Sequence, residues 1–425
     1  MRRLEGKRLL MLGTSRCSVD MVKYAKEQGA YVLVTDYLPT EKSAAKQYAD
    51  DTAMVSTIDI EALCKLAKDN QIDGVFCGVS ETNLESARQV CEVLGLPIYY
   101  TQQQWNTFQK KDSFRQICRQ YGVSVPQTYF IGNREQLAAT DTSLQYPVIV
   151  KPVDSAANVG ISVCRDPDQL QAAAEYAFSK SDAGRIIIEQ FVEGVEVNLT
   201  YTIQNKQAKL VCMGTKYICD ESGMVCHAYM FPSPSPCVEE FLQDEDAKVQ
   251  RMLLGQGLDN CTLFIQGMYA DHRFYLFESG LRLQGTASYR ITKRNCGQSN
   301  MEFMIDNALG VQSDYDINQE DVTLGGKKCV TFSLLAKGGT LARMEGFEKI
   351  PNSDMIIAAE QRYQPGDYVA NDGTLKQIVF QFVLCHEDIN VIVDMIQFLK
   401  KTIKAYDPEG NSALLDCFDV NRLLQ

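Results

Sequence analysis

No run of apolar residues in this 425-residue chain approaches the ~18 that would span a bilayer, so no membrane-spanning helix is expected. The opening MRRLEGKRLLMLGTS has too short an apolar stretch for a secretory signal and lacks a small-residue cleavage site, which points to a cytoplasmic protein. Positive charge is in deficit. With 42 Lys plus Arg against 54 Asp plus Glu, the net charge of −12 argues against work on nucleic-acid phosphates or anionic lipid heads. A local basic pocket for a small anion stays open. The 15 cysteines are an odd number and contain no CxxC pair, so reduced, mostly buried thiols are expected. The one cluster that invites a metal, Cys219, Cys226, His227 and Cys237, lacks the spacing of a structural zinc site. Internal repeats and low-complexity linkers are absent, and the length suggests about three domains.

What is present is organised. Residues 8–12 form an apolar run, GTSRCS follows, and VDMVKYAKEQG carries Val19, Val22 and Ala25 at helical spacing up to Gly29. The alternation continues: AYVLVTD as a strand, IEALCKLAKDN as a helix, DGVFCGV as a strand, ETNLESARQVCEVLG as a helix capped at Gly95, and LPIYY as a strand. Such alternation means a parallel, Rossmann-like sheet. The turn GTSRCS has one glycine where the dinucleotide fingerprint needs three, so a scaffold with another job is the better reading. After Pro126 the character becomes α+β, with strands expected at 127–131, 147–151 and 160–164, then a helix over PDQLQAAAEYAFSK. From about 311 a further unit carries KKCVTFSLLA, IVFQFVLCH and a closing helix.

Two stretches carry the chemistry. VIVKPVDSAANVGISV ends an apolar run in Lys151 and continues into a small-residue loop, readable as an ordinary hairpin or as a flap over phosphate. In RIIIEQFVEGVEVNLTYTI the run 186–188 reads as a buried strand and 189–193 as a crossing segment. A strand over 195–200 follows, with Val195, Val197 and Leu199 inward and Glu196 facing away. Unpaired backbone groups of a crossing segment suit a flat heterocycle.

With a lysine ahead of a helix ending in Gly-Val-x-x-Pro, the Val-Lys-Pro strand, Glu-x-x-Val-x-Gly-x-Glu and a late Glu-x-x-x-Arg-x-x-Gly, the sequence resembles the ATP-grasp superfamily. The resemblance implies an α/β and α+β architecture in three parts: a Rossmann-like domain over 1–110, a two-lobed ATP-grasp domain over 111–310 with a mobile lid at about 125–195, and a small α+β domain over 311–425. It implies that Lys111 and Lys151 meet phosphate, and that Ser155 to Gly160 close over it through backbone amides; Lys110 reads as a solvated helix-entry charge. The backbone around Gln190 and Val192 would read adenine, Glu189 would accept from its amino group, and Glu196 would take a ribose hydroxyl.

The stretch TLFIQGMYADHRFYLFES reads as a hairpin. If 271–273 form its loop, 270 pairs with 274 and Gln266 lies opposite Glu278, close enough to share a cation. The family places two metal-binding acids there; here the first is Gln, and its usual Asn two positions after the Glu is Gly280. By the same resemblance Arg282 would balance charge on a transferring group. The implied activity is ATP-dependent joining of a carboxylate to an amine through an acyl phosphate, with ATP and Mg²⁺ or Mn²⁺ as cofactors. Bicarbonate activation and nucleotide binding without ligase activity are the alternatives. The expected partners are small-molecule carboxylate and amine substrates, without nucleic acid or membrane, and homodimerisation is left open.

Overall fold

The computed structural model describes residues 2–139, 143–154, 159–218 and 225–425. Its sheets follow one another along the chain. Strands β1 (Arg8–Leu12), β2 (Tyr31–Thr35), β3 (Asp51–Ala53) and β4 (Gly74–Phe76) form a parallel sheet in the order β3-β2-β1-β4. The helices Arg16–Glu27 and Glu81–Leu94 start where Ser15 and Ser80 accept from the first-turn amides, and the second ends at Gly95, whose φ of +67° suits a residue without Cβ.

The strand expected over LPIYY does not form. Pro97 lacks a ladder donor, and the tyrosines dock sideways, the Tyr100 hydroxyl donating to Leu84 O and that of Tyr99 to Leu281 O. A helix at Gln102–Gln109 follows instead, ahead of the one at Lys111–Gln120.

Strands β5 (Thr128–Gly132), β6 (Val148–Pro152), β7 (Ser162–Cys164) and β8 (Ile186–Gln190) form an antiparallel sheet in the order β5-β8-β6-β7, backed by the helix Leu170–Ser179. A long sheet then carries β9 (Val195–Gln204), β10 (Gln207–Tyr217), β11 (Ala228–Phe231), β12 (Cys261–Ala270), β13 (Arg273–Gly280), β14 (Lys328–Leu335), β15 (Ile356–Gln361) and β16 (Ile378–His386). Its order is β13-β12-β9-β10-β11-β14-β16-β15, so β14 joins β11 directly and the sheet runs unbroken past residue 310. Within β9, Val197 and Leu199 are fully buried as expected from their alternation, whereas Val195, the first residue, is 43 % exposed.

Every free cysteine described is buried except half-buried Cys296. Cys417 is disulfide-bonded, a departure from the reduced thiols expected throughout. Pairing depends on two Cα atoms meeting within about 7 Å, which sequence spacing does not reveal. Among the described residues no cluster of three metal-ligating side chains occurs, and no helix is long and apolar enough to cross a membrane.

Candidate active site

The sheet β5-β8-β6-β7 and one end of the long sheet border an open cavity of about 800 Å³, within the range of small-molecule sites. Residues from five separate stretches meet there: Lys111 from a helix start, Ile149 and Lys151 from β6, Glu189 to Glu196 across the chain crossing, Lys216 from β10, and Gln266 and Glu278 from β12 and β13. Ile149, Ile161, Phe191, Val192, Met268 and Phe277 give it apolar walls. Exposed Lys110 is outside it.

Lys151 lies on β6 opposite Ile187, and Glu189 on β8 opposite Ile149, so the two face the cavity on adjacent strands and form an ion pair. The Glu189 carboxylate, 2 % exposed, also accepts at Oε1 from fully buried Arg115 at 3.0 Å, and its Oε2 lies 2.8 Å from the same guanidinium as an ion pair. Glu189 lines the cavity while its carboxylate already holds two cations, so the role expected for it toward a ligand amino group starts from a committed side chain. The same pairing makes Lys151 a buried partner as well as a cavity group. Burial pushes its pKa down to about 8, against the pull of Glu189 and assisted by the charges of Arg115 and Lys111. Burial opposes ionisation of Glu189 too, but Lys151 and Arg115 hold it below the usual carboxylate range. Arg115 was missed from the sequence. It sits four residues after Lys111 on the same helical face and donates to Lys111 O, and that spacing was the available signal.

In the crossing segment Gln190 N–H is already committed to Gln127 O and Phe191 N–H to Pro147 O, so backbone donors for a heterocycle begin at buried Val192. Glu196 pairs with Lys216 at 2.8 Å. Lys216 was also missed, although a lysine within the apolar run of β10 marks an unusual position. Of the flap, Ser155 lies outside the described residues. Gly160 is described but does not line the cavity; its φ is +79°, and a Cβ would meet Pro152 and Lys180 at 2.7 and 2.8 Å, so local packing accounts for the glycine.

The hairpin places Gln266 opposite Glu278, by a different route from the one expected. The turn has two residues, Asp271 and His272, both at positive φ, so Ala270 pairs with Arg273. That shifts the register by one, and a bulge at Phe277 shifts it back. Glu278 is partly exposed, with Lys111 Nζ 3.7 Å away. The Gln266 amide donates to Glu196 Oε1 at 3.2 Å and to Asn198 Oδ1 at 3.0 Å. Since a carboxylate only accepts, this fixes which end of the amide is nitrogen, and Oε1 is the end available to a cation beside Glu278. One carboxylate and one amide oxygen suit Mg²⁺, which keeps several waters and takes further oxygens from phosphate.

Arg282 does not line the cavity. Its guanidinium pairs with Glu81 at 2.8 Å, donates to Leu283 O and lies 4.6 Å over the Phe264 ring; its Nε has no hydrogen-bond partner among the described residues. The expected role in charge balance therefore starts from a side chain tethered to the helix Glu81–Leu94.

Residues 118–278 match the family described as D-ala D-ala ligase C-terminus. The chain is 28 % identical over 210 residues to a formate-dependent phosphoribosylglycinamide formyltransferase of Synechococcus elongatus, covering 48 % of this chain and 53 % of that protein. A protein of the same name from Solidesulfovibrio magneticus is 25 % identical over 267 residues, 61 % of this chain and 66 % of its own length. The chain spans about half the length of the first of these curated relatives. Among solved structures, the L-amino acid ligase of Bacillus licheniformis superimposes with a TM-score of 0.79 at 17 % identity, covering 95 % of this chain and 99 % of the ligase. The biotin carboxylase domain of the Hydrogenobacter thermophilus 2-oxoglutarate carboxylase, in complex with MgADP, ADP and bicarbonate, gives 0.77 at 15 % identity, covering 96 % and 91 %. At these identities the structural likeness concerns the fold.

Proposed function

We propose that this chain, a member of the ATP-grasp superfamily, is an ADP-forming ligase that activates a carboxylate with ATP as an acyl phosphate and joins it to an amine. The observation that carries this reading is the convergence of three lysines, a hairpin carboxylate and apolar walls on one cavity of about 800 Å³ between two sheets. A carboxylate is a poor electrophile, and its phosphorylation needs positioned reactants and neutralised charge more than it needs a protein nucleophile. Two of the similar proteins are named for chemistry on carboxylates, formate-dependent formyl transfer and L-amino acid ligation.

In this reading Lys111 and Lys151 hold phosphate, the apolar walls hold the adenine, the backbone from Val192 reads its edge, and Glu196, oriented by Lys216, takes a ribose hydroxyl. Glu278 and the Gln266 oxygen would hold Mg²⁺. A bound divalent cation would supply charge neutralisation at the phosphates. Arg282, tethered to Glu81 and outside the cavity wall, would meet charge on the transferring group by leaving that pair. We read the architecture as three parts, a Rossmann-like unit, a two-lobed nucleotide-binding unit and a C-terminal α+β unit whose strands extend the long sheet. The reading places the enzyme in the cytoplasm, with small-molecule substrates and homodimerisation as a testable option.

The test is a screen of carboxylates with Mg-ATP and hydroxylamine. A small nucleophile intercepts an acyl phosphate, so hydroxamate and ADP are expected together. AMP as product, or no carboxylate-dependent turnover, overturns the proposal.

A further inference from the structure

We infer that this site takes one divalent cation with its nucleotide, because the Phe264 ring closes the position from which the protein would ligate a second. The inference rests on the nucleotide-binding reading above.

Most of the oxygen donors beside Glu278 already accept a hydrogen bond from a protein group. Glu196 uses Oε2 on Lys216, 2.8 Å away, and Oε1 on the Gln266 amide nitrogen. Asn198, 1 % exposed, accepts at its one oxygen from both Gln266, at 3.0 Å, and Gln284, at 2.6 Å. The Gln284 oxygen accepts in turn from the Thr286 hydroxyl at 3.1 Å. The Gln266 and Gln284 nitrogens thus converge on the Asn198 oxygen, and among the described residues Gln266 Oε1 is the one amide oxygen of the three that accepts no hydrogen bond, which leaves it to join Glu278.

Position 280 offers nothing further. It is glycine, on the same sheet face as Glu278 and paired with Phe264 across the hairpin. A Cβ built there would lie 2.3 Å from Phe264 Cε1 and 2.7 Å from Cζ, distances that real side chains do not tolerate. Phe264 is 5 % exposed, and Arg282 packs over it at 4.6 Å, so the ring has little room to swing aside. Glycine at 280 and phenylalanine at 264 are one packing unit. Lys111, Lys151 and Lys216 supply positive charge to the cavity without a second ion.

The experiment counts bound Mn²⁺ by electron paramagnetic resonance on the full chain saturated with a non-hydrolysable ATP analogue, with nucleotide occupancy measured separately by calorimetry. One Mn²⁺ per bound nucleotide is expected for the wild type. Two per nucleotide, or none, overturns the inference while leaving nucleotide binding standing. Absence of nucleotide binding in the calorimeter overturns the functional reading itself and the count with it. In F264A/G280N, where ring removal leaves room for an amide oxygen, the count should rise to two. A folded double variant that still binds one ion shows that the ring does not close the position. If that variant does not fold, the wild-type count alone decides.

Discussion

Replacing Arg115 with methionine removes one cation from the buried Arg115–Glu189–Lys151 cluster while keeping most of the aliphatic packing. Arg115 is fully buried, donates to Glu189 Oε1 at 3.0 Å and to Lys111 O at 2.9 Å, and lies 2.8 Å from Glu189 Oε2 as an ion pair. Breaking a buried ion pair typically costs about 3 to 5 kcal/mol. Glu189 keeps Lys151, so the low end applies, about 3 kcal/mol, or a shift of about 1 M in urea midpoint for a slope near 3 kcal/mol/M. The substitution also acts on ligand binding. Lys151 has its pKa pushed down to about 8 by burial, and Arg115 adds to that push. A neutral lysine offers phosphate no charge, so wild-type affinity for ADP should weaken as pH rises through about 8, by up to tenfold per pH unit. In R115M the Lys151 pKa rises, and this limb should move to higher pH. Urea denaturation followed by circular dichroism and ADP calorimetry from pH 7 to 9.5 read the two effects. A midpoint shift below about 0.3 M, or a limb that stays or moves to lower pH, would refute the account of a single coupled cluster.

The depressed Lys151 pKa carries a sign for stability as well: the unfolded chain binds more protons between about 8 and the ordinary lysine value, so this group makes the fold more stable as pH rises across that window. K151M, which removes the charge at every pH, should lower ADP affinity roughly tenfold to hundredfold, and because Lys151 is paired with buried Glu189 it should destabilise the fold too; calorimetry and urea denaturation read each. Q266E replaces two amide donor contacts with a carboxylate facing Glu196 Oε1 and Asn198 Oδ1, so a lower urea midpoint is expected in place of the tighter Mg²⁺ binding that added charge alone would suggest. If Arg282 meets developing charge, R282A should suppress hydroxamate formation ~10²-fold with little change in ADP affinity, while E81Q, which releases the guanidinium, should not; equal loss in both variants would mark the ion pair itself as the requirement.

Local pattern determined much of this protein. The β-α alternation, the glycine cap at Gly95 and the serine caps depend on neighbours within a few residues, and they were legible as such. So were five of the cavity residues, because Lys111, Lys151, Glu196, Gln266 and Glu278 stand in the motifs that carry the resemblance to the ATP-grasp superfamily. The pairing of Gln266 with Glu278 was legible only by coincidence: the two-residue turn and the bulge at Phe277 displace the register by one in opposite senses. Tertiary structure alone decided which way each charge faces. Lys151 and Glu189 lie 38 residues apart and Arg115 lies 74 residues from Glu189, yet burial forces them to neutralise one another, since an isolated charge is costly away from water. The same holds for Phe264 and Gly280, and for Arg282 and Glu81, 201 residues apart. These partners share no local pattern, and their contact is set by how the sheets pack.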